Sequence, residues 1–286
     1  MNTEHSKKHL TNTRVIAVTS GKGGVGKTNV SINLALGLSG LGHTVSLLDA
    51  DLGLANIDIL LNLRPLRNLS HVIEGECELA DIIIPGPLGI RIIPASSGVR
   101  MMSNLDVRQQ AALIHAFGDL HNDTDILVVD TSAGLGDGVV NFCAAAHEVL
   151  LVVCNDPASV ADAYAMIKVL HNDYGVQRMR ILANMVHKSG EGREVFERLG
   201  LVSSRYLDVV LHYCGAVPHD PLLVKAIRNR QPVVAAYPGA PSAMAFKDLA
   251  AIADKWERPG AANGRLEFFV ERLLQYQPEN LQKVLP

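Results

Sequence analysis

Gly21-Lys22-Gly23-Gly24-Val25-Gly26-Lys27-Thr28 satisfies the phosphate-loop pattern G-x-x-x-x-G-K-[ST] without a mismatch. Just before it, Val15-Ile16-Ala17-Val18-Thr19 is apolar and largely β-branched, as a strand buried in a parallel sheet should be. After it, Val30, Leu34, Leu38 and Leu41 fall at helical spacing, so the loop joins a strand to a helix N-terminus. The glycines permit positive φ and close backbone approach, letting successive amides face phosphate oxygens together with the positive end of the helix dipole. The loop from Gly21 to Asn29 is therefore expected to hold the phosphates of a nucleotide. Lys27 would neutralise the β- and γ-phosphates, and the Thr28 hydroxyl would coordinate Mg²⁺.

Two further acidic strand ends fit the same site. Thr44 to Leu48 runs into Asp49-Ala50-Asp51, and Ile126 to Val129 runs into Asp130, followed by Thr131-Ser132-Ala133-Gly134. Open α/β sheets place their ligands at the carboxyl ends of strands. A carboxylate there can hold a divalent cation through water, or orient the water that attacks a γ-phosphate. Asp130 is expected on the metal side, opposite Thr28.

The chain has 286 residues, 48% of them hydrophobic and 19% charged, which suits one large α/β domain with a filled core. Strand-like runs recur at Ile90–Pro94, Val149–Cys154, Ile181–Asn184 and Val209–Val217, with helical periodicity over Asp106–Leu120 and Ser159–His171. The expectation is a doubly wound, mostly parallel sheet with helices on both faces, over residues 14–258. Residues 1–13 are polar and read as a disordered tail; 259–264 read as a linker. Leu266, Phe269, Val270, Leu273 and Leu274 then make one apolar stripe on a helix over 265–276, followed by a tail over 277–286. That stripe needs a surface, either protein or membrane; Glu267 and Glu271 balance Arg265 and Arg272, so no basic face draws it to anionic lipid.

A net charge of −3 gives no general argument for nucleic acid and weighs against direct DNA binding. Cys77, Cys143, Cys154 and Cys214 lie far apart without a C-x-x-C pair, which suits isolated thiols in a reducing compartment better than an iron–sulfur cluster. No apolar run approaches the roughly 18 to 20 residues of a membrane span, so a cytoplasmic protein is expected.

Lys22, a second lysine inside the loop, is not required by the general motif. With it, Lys22-Gly23-Gly24-Val25-Gly26-Lys27-Thr28 resembles the deviant phosphate loop of the MinD/ParA-type ATPases. The resemblance extends from Arg14 to about Leu274. It is closest to the flagellar-number regulators of FlhG/FleN type through Leu48-Asp49-Ala50-Asp51-Leu52-Gly53-Leu54-Ala55-Asn56, Val72-Ile73-Glu74-Gly75, Asp162 to Lys168 and Leu266 to Leu273. It implies a P-loop ATPase that uses ATP and Mg²⁺ and forms a homodimer when ATP is bound, with Lys22 reaching the partner's phosphates. Asp51 would position and activate the water and Asp49 would support the metal, while Asn184, Pro218, Asp220 and Asp156 would surround the adenine and ribose.

The implied role is limiting flagellar number by antagonising an NtrC-type transcription activator. A signal-recognition-type flagellar GTPase is a further partner in the family, and the membrane inner face or cell pole a peripheral location. Met1 to Arg14 contains no D-Q-A-x-x-L-R motif, the element with which some members stimulate that GTPase. The same chemistry would serve division-site placement or DNA partitioning, or a binding module in which hydrolysis is incidental.

Overall fold

Successive residues of the first strand face two different apolar clusters: Val15 and Ala17 pack on one side of the sheet, Ile16 and Val18 on the other. That alternation within an all-apolar run is what a sheet covered on both faces requires. The computed structural model describes residues 12–51, 56–95, 105–121, 123–260 and 264–275. Residues 1–11 of the expected 1–13 tail, the Leu52 to Ala55 part of the resemblance, the middle of the linker, residue 276 of the expected last helix and the tail over 277–286 lie outside the described residues.

The chain runs β1 (Arg14–Ser20), α1 (Lys27–Gly40), β2 (Val45–Ala50), α2 (Ile57–Leu60), α3 (Leu69–Ile73), α4 (Leu79–Ile82), β3 (Ile84–Pro85), β4 (Arg91–Pro94) and α5 (Val107–His121). It continues with β5 (Ile126–Ala133), α6 (Asp137–Ala145), β6 (Glu148–Cys154), α7 (Pro157–Asn172), β7 (Arg178–Val186) and α8 (Glu191–Tyr206). The last elements are β8 (Val210–Pro218), α9 (Pro221–Arg228), α10 (Val233–Ala236), α11 (Pro241–Asp254) and α12 (Leu266–Gln275). Among the described residues the strands form one eight-stranded sheet in the order β3-β4-β2-β5-β1-β6-β7-β8. Every pairing is parallel except β3 with β4, so the doubly wound, mostly parallel expectation holds.

β1 lies between β5 and β6, and Asp49 and Asp130 are register partners across β2 and β5. The phosphate loop and both acidic strand ends therefore meet at the carboxyl edge of the sheet's centre. Helices α1, α9, α10 and α11 cover one face; α5, α6, α7, α8 and α12 cover the other. Pro85-Gly86-Pro87 falls in a short edge hairpin, with Ile84 and Pro85 pairing antiparallel to Ile92 and Arg91. Proline is tolerated there because an edge strand leaves one side of its backbone unpaired.

Packing decides two features at the ends of the domain. Thr13 is fully buried: its hydroxyl donates to the Thr124 carbonyl at 2.6 Å and its amide to the Gly264 carbonyl at 2.8 Å. Ordered backbone thus begins before Arg14, because the chain start and the end of the linker satisfy each other's polar groups. The stripe of α12 has its surface within this chain. Leu266, Phe269, Val270, Leu273 and Leu274 are all buried in the core, with α12 packed on α5 and α6 and the Phe269 ring 6.4 Å from that of Phe142.

Because α12 is part of the core, Phe269→Ala should destabilise the whole protein by about 3–5 kcal/mol, read by urea denaturation. A change near zero would mean that α12 is an undocked arm.

Candidate active site

The phosphate loop starts where β1 ends and closes at Lys27, the first residue of α1. Gly26 caps α1 with φ 84°, and a Cβ there would come within 2.6 Å of the Asn184 Nδ2, so both conformation and space demand glycine. Gly21 is constrained differently: a Cβ would collide with the Asp162 carbonyl within α7. Gly23 and Gly24 face open space. Together with Lys27, Thr28, Asn29 and Asp51 they border a cavity of about 490 Å³, also walled by Asn56 and Met185.

Lys27 is only 7% exposed, and its Nζ lies 2.9 Å from Asp130 Oδ1, which also accepts the Ser31 hydroxyl at 2.7 Å. Asp130 Oδ2 is buried without a hydrogen-bond partner. Asp49 sits beside it, 3% exposed, and burial followed by the Asp130 charge pushes its carboxyl up to about 7. The Ile57 amide at 3.3 Å and the Asp51 amide at 3.4 Å oppose that shift. Two crowded carboxylates, one with an unused oxygen, fit a divalent cation, with Thr28 on the adjoining helix turn as the hydroxyl ligand.

Asp51 is held by both oxygens: Ser132 donates to Oδ1 at 2.8 Å and Asn56 to Oδ2 at 3.3 Å. The carboxylate is thus oriented at the cavity wall, as a water-positioning group needs. Lys22 Nζ lies 3.1 Å from Asp156 Oδ1, each side chain about two-fifths exposed (43% and 41%). The same Asp156 oxygen caps α7 by accepting the Ser159 amide at 2.9 Å. That amide first, and Lys22 second, hold the Asp156 carboxyl below the usual range.

Asn184 donates from Nδ2 to the Val25 carbonyl at 2.7 Å, while its Oδ1 is buried and unpartnered. An acceptor stationed behind the loop fits a base amino group. Met185 follows with φ 58°, a conformation that L residues rarely adopt, and borders the same cavity. Pro218 ends β8 beside it, paired with Val186, and the His219 and His187 rings stack at 4.9 Å.

Asp156 and Asp220, expected around the adenine and ribose, both contact groups of this chain. Asp156 is the partner of Lys22. Asp220 Oδ1 caps α9 through the Leu222 amide at 2.8 Å, and its Oδ2 accepts the Ser242 amide at 3.0 Å and hydroxyl at 2.7 Å. Burial alone would raise the Asp220 carboxyl, but those donors outweigh it and hold it low. It pins α9 to α11.

Sequence reasoning gave no individual role to Ser31, Asn56, Ser132 or Met185. Ser31 was detectable, since it lies one helical turn beyond Lys27 on a buried face. The contacts of the other three arise only from folding. The Cys143 thiol is pushed up by burial to about 12 and the Cys214 thiol to about 11, which makes both poor metal ligands.

Asp49 supplies a pH test. Its folded pKa of about 7 exceeds the ordinary carboxylate value of 3.8, so the stability from the protonated form is fully present below pH 4 and is lost as pH rises through 7. The nucleotide-free protein should lose up to a few kcal/mol across that window. Asp49→Asn should be more stable than wild type at pH 8, with the gap closing toward pH 5, as read by urea midpoints.

A family model named ParA, described as NUBPL iron-transfer P-loop NTPase, matches residues 11–253. Antiactivator FleN of Pseudomonas aeruginosa is 55% identical over 263 residues, spanning 92% of this chain and 94% of its own. The flagellum site-determining protein YlxH of Helicobacter pylori is 35% identical over 272 residues, 93% of this chain and 91% of its own. Among solved structures, the MinC:MinD cell division protein complex of Aquifex aeolicus matches with a TM-score of 0.69 at 26% identity, covering 86% of this chain and 98% of the matched one. The septum site-determining protein MinD of Pyrococcus horikoshii, complexed with Mg-ADP, matches at 0.67 and 25%, covering 85% and 96%. The phosphate loop with its second lysine, the acidic strand ends and the sheet order accord with these likenesses, and the chain belongs to the MinD/ParA-type family of P-loop ATPases.

Proposed function

We propose that this chain is an ATP-driven dimerising switch that limits flagellar number by antagonising an NtrC-type transcription activator. The likeness to the antiactivator and to the flagellum site-determining protein supports the biological role. One observation carries the switch: both loop lysines rest on carboxylates that nucleotide phosphates would replace, Lys27 on Asp130 and Lys22 on Asp156.

When ATP enters, Lys27 turns from Asp130 to the β- and γ-phosphates. Thr28 through its hydroxyl, and Asp130 and Asp49 through water, would then hold Mg²⁺, which would supply charge neutralisation at those phosphates. Lys22 leaves Asp156 and reaches the γ-phosphate of a second subunit, where it stabilises transition-state charge as an arginine finger does. Asp51, oriented by Ser132 and Asn56, accepts the proton of the attacking water. The Asn184 carbonyl accepts from the adenine amino group. Hydrolysis removes the γ-phosphate that holds the subunits together, so the activator discriminates between two states.

Division-site or partition chemistry is the competing reading, supported by the MinD structures. The burial of α12 favours a resting state in which the helix covers its own core, with any membrane or pole contact requiring its release. Among the described residues no helix is long and apolar enough to cross a membrane. The signal-recognition-type GTPase is a secondary partner, and the cytoplasm is the proposed location.

Light scattering should show wild type doubling in mass only with a non-hydrolysable ATP analogue and Mg²⁺, and Lys22→Gln staying monomeric. Asp51→Ala should still dimerise on ATP while losing about 10²- to 10⁴-fold in turnover. An unchanged mass across nucleotides would sink the dimer mechanism, and normal turnover by Asp51→Ala would remove that residue from catalysis. Steep loss of DNA binding with salt would favour the partition reading.

A further inference from the structure

The first half of α1 is buried on nearly every side, and Val30, Ile32, Leu34 and Ala35 fill it with apolar atoms. Ser31 interrupts that run although it too is fully buried. A hydroxyl withdrawn from water is unfavourable unless it is hydrogen-bonded, so a serine here calls for an acceptor. Asn33, the next buried polar residue of the helix, serves the scaffold: its Nδ2 donates to the Asn29 carbonyl at 2.8 Å and its Oδ1 accepts the Val234 amide at 3.1 Å. Ser31 does something else.

Two acceptors lie within reach of the Ser31 hydroxyl, the Lys27 carbonyl at 3.2 Å and Asp130 Oδ1 at 2.7 Å. A serine has one proton to give. A bond to the carbonyl four residues back is the ordinary fate of a serine inside a helix, but that carbonyl already takes the backbone amide of the same residue. The carboxylate oxygen is both nearer and the stronger acceptor, so the proton goes to Asp130.

Strand alternation places the acid there. Val45 and Leu47 of β2 and Ile126 and Val128 of β5 face the α1 side of the sheet, so Asp49 and Asp130, each two residues further on, emerge beneath the start of that helix. Thr28 borders the nucleotide cavity, whereas Ser31, three residues on, is closed off from solvent. Asp130 Oδ1 thus has two side-chain donors, Lys27 Nζ and Ser31 Oγ, while the buried Oδ2 has none. The donors are unequal. Lys27 ends a long flexible stem that phosphates can draw away, and Ser31 is a one-carbon stem fixed by a packed helix.

We propose that Ser31 is a positioning residue for Asp130: it keeps Oδ1 anchored once Lys27 has turned to the nucleotide, and so reserves Oδ2 for the hydration shell of the divalent cation. Without that anchor Asp130 is free to turn or to follow Lys27, and the cation loses a fixed outer ligand. This role rests on the reading of Asp130 as a metal-side group and adds what holds that group in place.

The full chain is titrated with a fluorescent, non-hydrolysable ATP analogue, and its affinity is read by anisotropy first in EDTA and then across a range of Mg²⁺ concentrations. Wild type should bind more tightly as Mg²⁺ is added. Ser31→Ala should raise the Mg²⁺ concentration for half of that gain about tenfold, with the affinity in EDTA changed by less than about twofold. Ser31→Cys, close to serine in size but a weak donor, should follow Ser31→Ala.

An unchanged Mg²⁺ half-point in both variants would overturn the positioning role and leave the metal-side reading of Asp130 intact. Equal losses with and without Mg²⁺ would assign Ser31 to the shape of the phosphate loop, and wild-type behaviour by Ser31→Cys alone would assign the effect to side-chain volume; either overturns the proposal. A wild type whose nucleotide affinity ignores Mg²⁺ would remove the metal-side reading itself, and the role of Ser31 with it.

Discussion

The buried pairing of Lys27 with Asp130, against a second buried acid at Asp49, is the constraint around which this molecule is arranged. Breaking a buried ion pair from one side leaves an uncompensated charge in low dielectric and costs about 3–5 kcal/mol. Here the charges are also out of balance, since one lysine faces two aspartates. The protein accommodates the excess by holding Asp49 near its protonated form and leaving an Asp130 oxygen without a partner. That arrangement is costly in isolation. A nucleotide with a divalent cation would relieve it, which is the physical reason to expect tight linkage between ligand and fold stability.

The sheet produces this crowding. With β1 between β5 and β6, and β2 beside β5, the phosphate loop and two acidic strand ends must emerge side by side. Close approach then sets the sequence locally. Gly21 lies against the α7 backbone and Gly26 against Asn184, so the loop is shaped by its neighbours as much as by its own flexibility. On the opposite face α12 closes the core over α5 and α6, so the end of the described chain contributes to a layer begun much earlier.

Lys22, Lys27, Asp51 and Asn184 each make a contact suited to exchange on ligand binding. The two lysines rest on carboxylates, Asp51 is held by an amide and a hydroxyl, and Asn184 keeps one oxygen in reserve. Asp220 differs, because every donor around it belongs to the scaffold. Aspartates that follow strand ends thus differ in their contacts according to what the tertiary fold sets beside them.

The sequence by itself determined the phosphate loop, its strand and helix, the acidic strand ends and the doubly wound class. These depend on short-range chemistry: glycine φ, apolar alternation and helical spacing. It also marked the stripe of α12, yet not what the stripe covers, because amphipathicity states that a face must be buried without naming the surface. Only the tertiary structure decided that Asp156 pairs with Lys22, that Asp220 pins α9 to α11, and that Asn56 and Ser132 hold Asp51. Those contacts join residues distant in the chain, or near ones turned together by the strand ends, and strand order is a global packing outcome that no local pattern encodes.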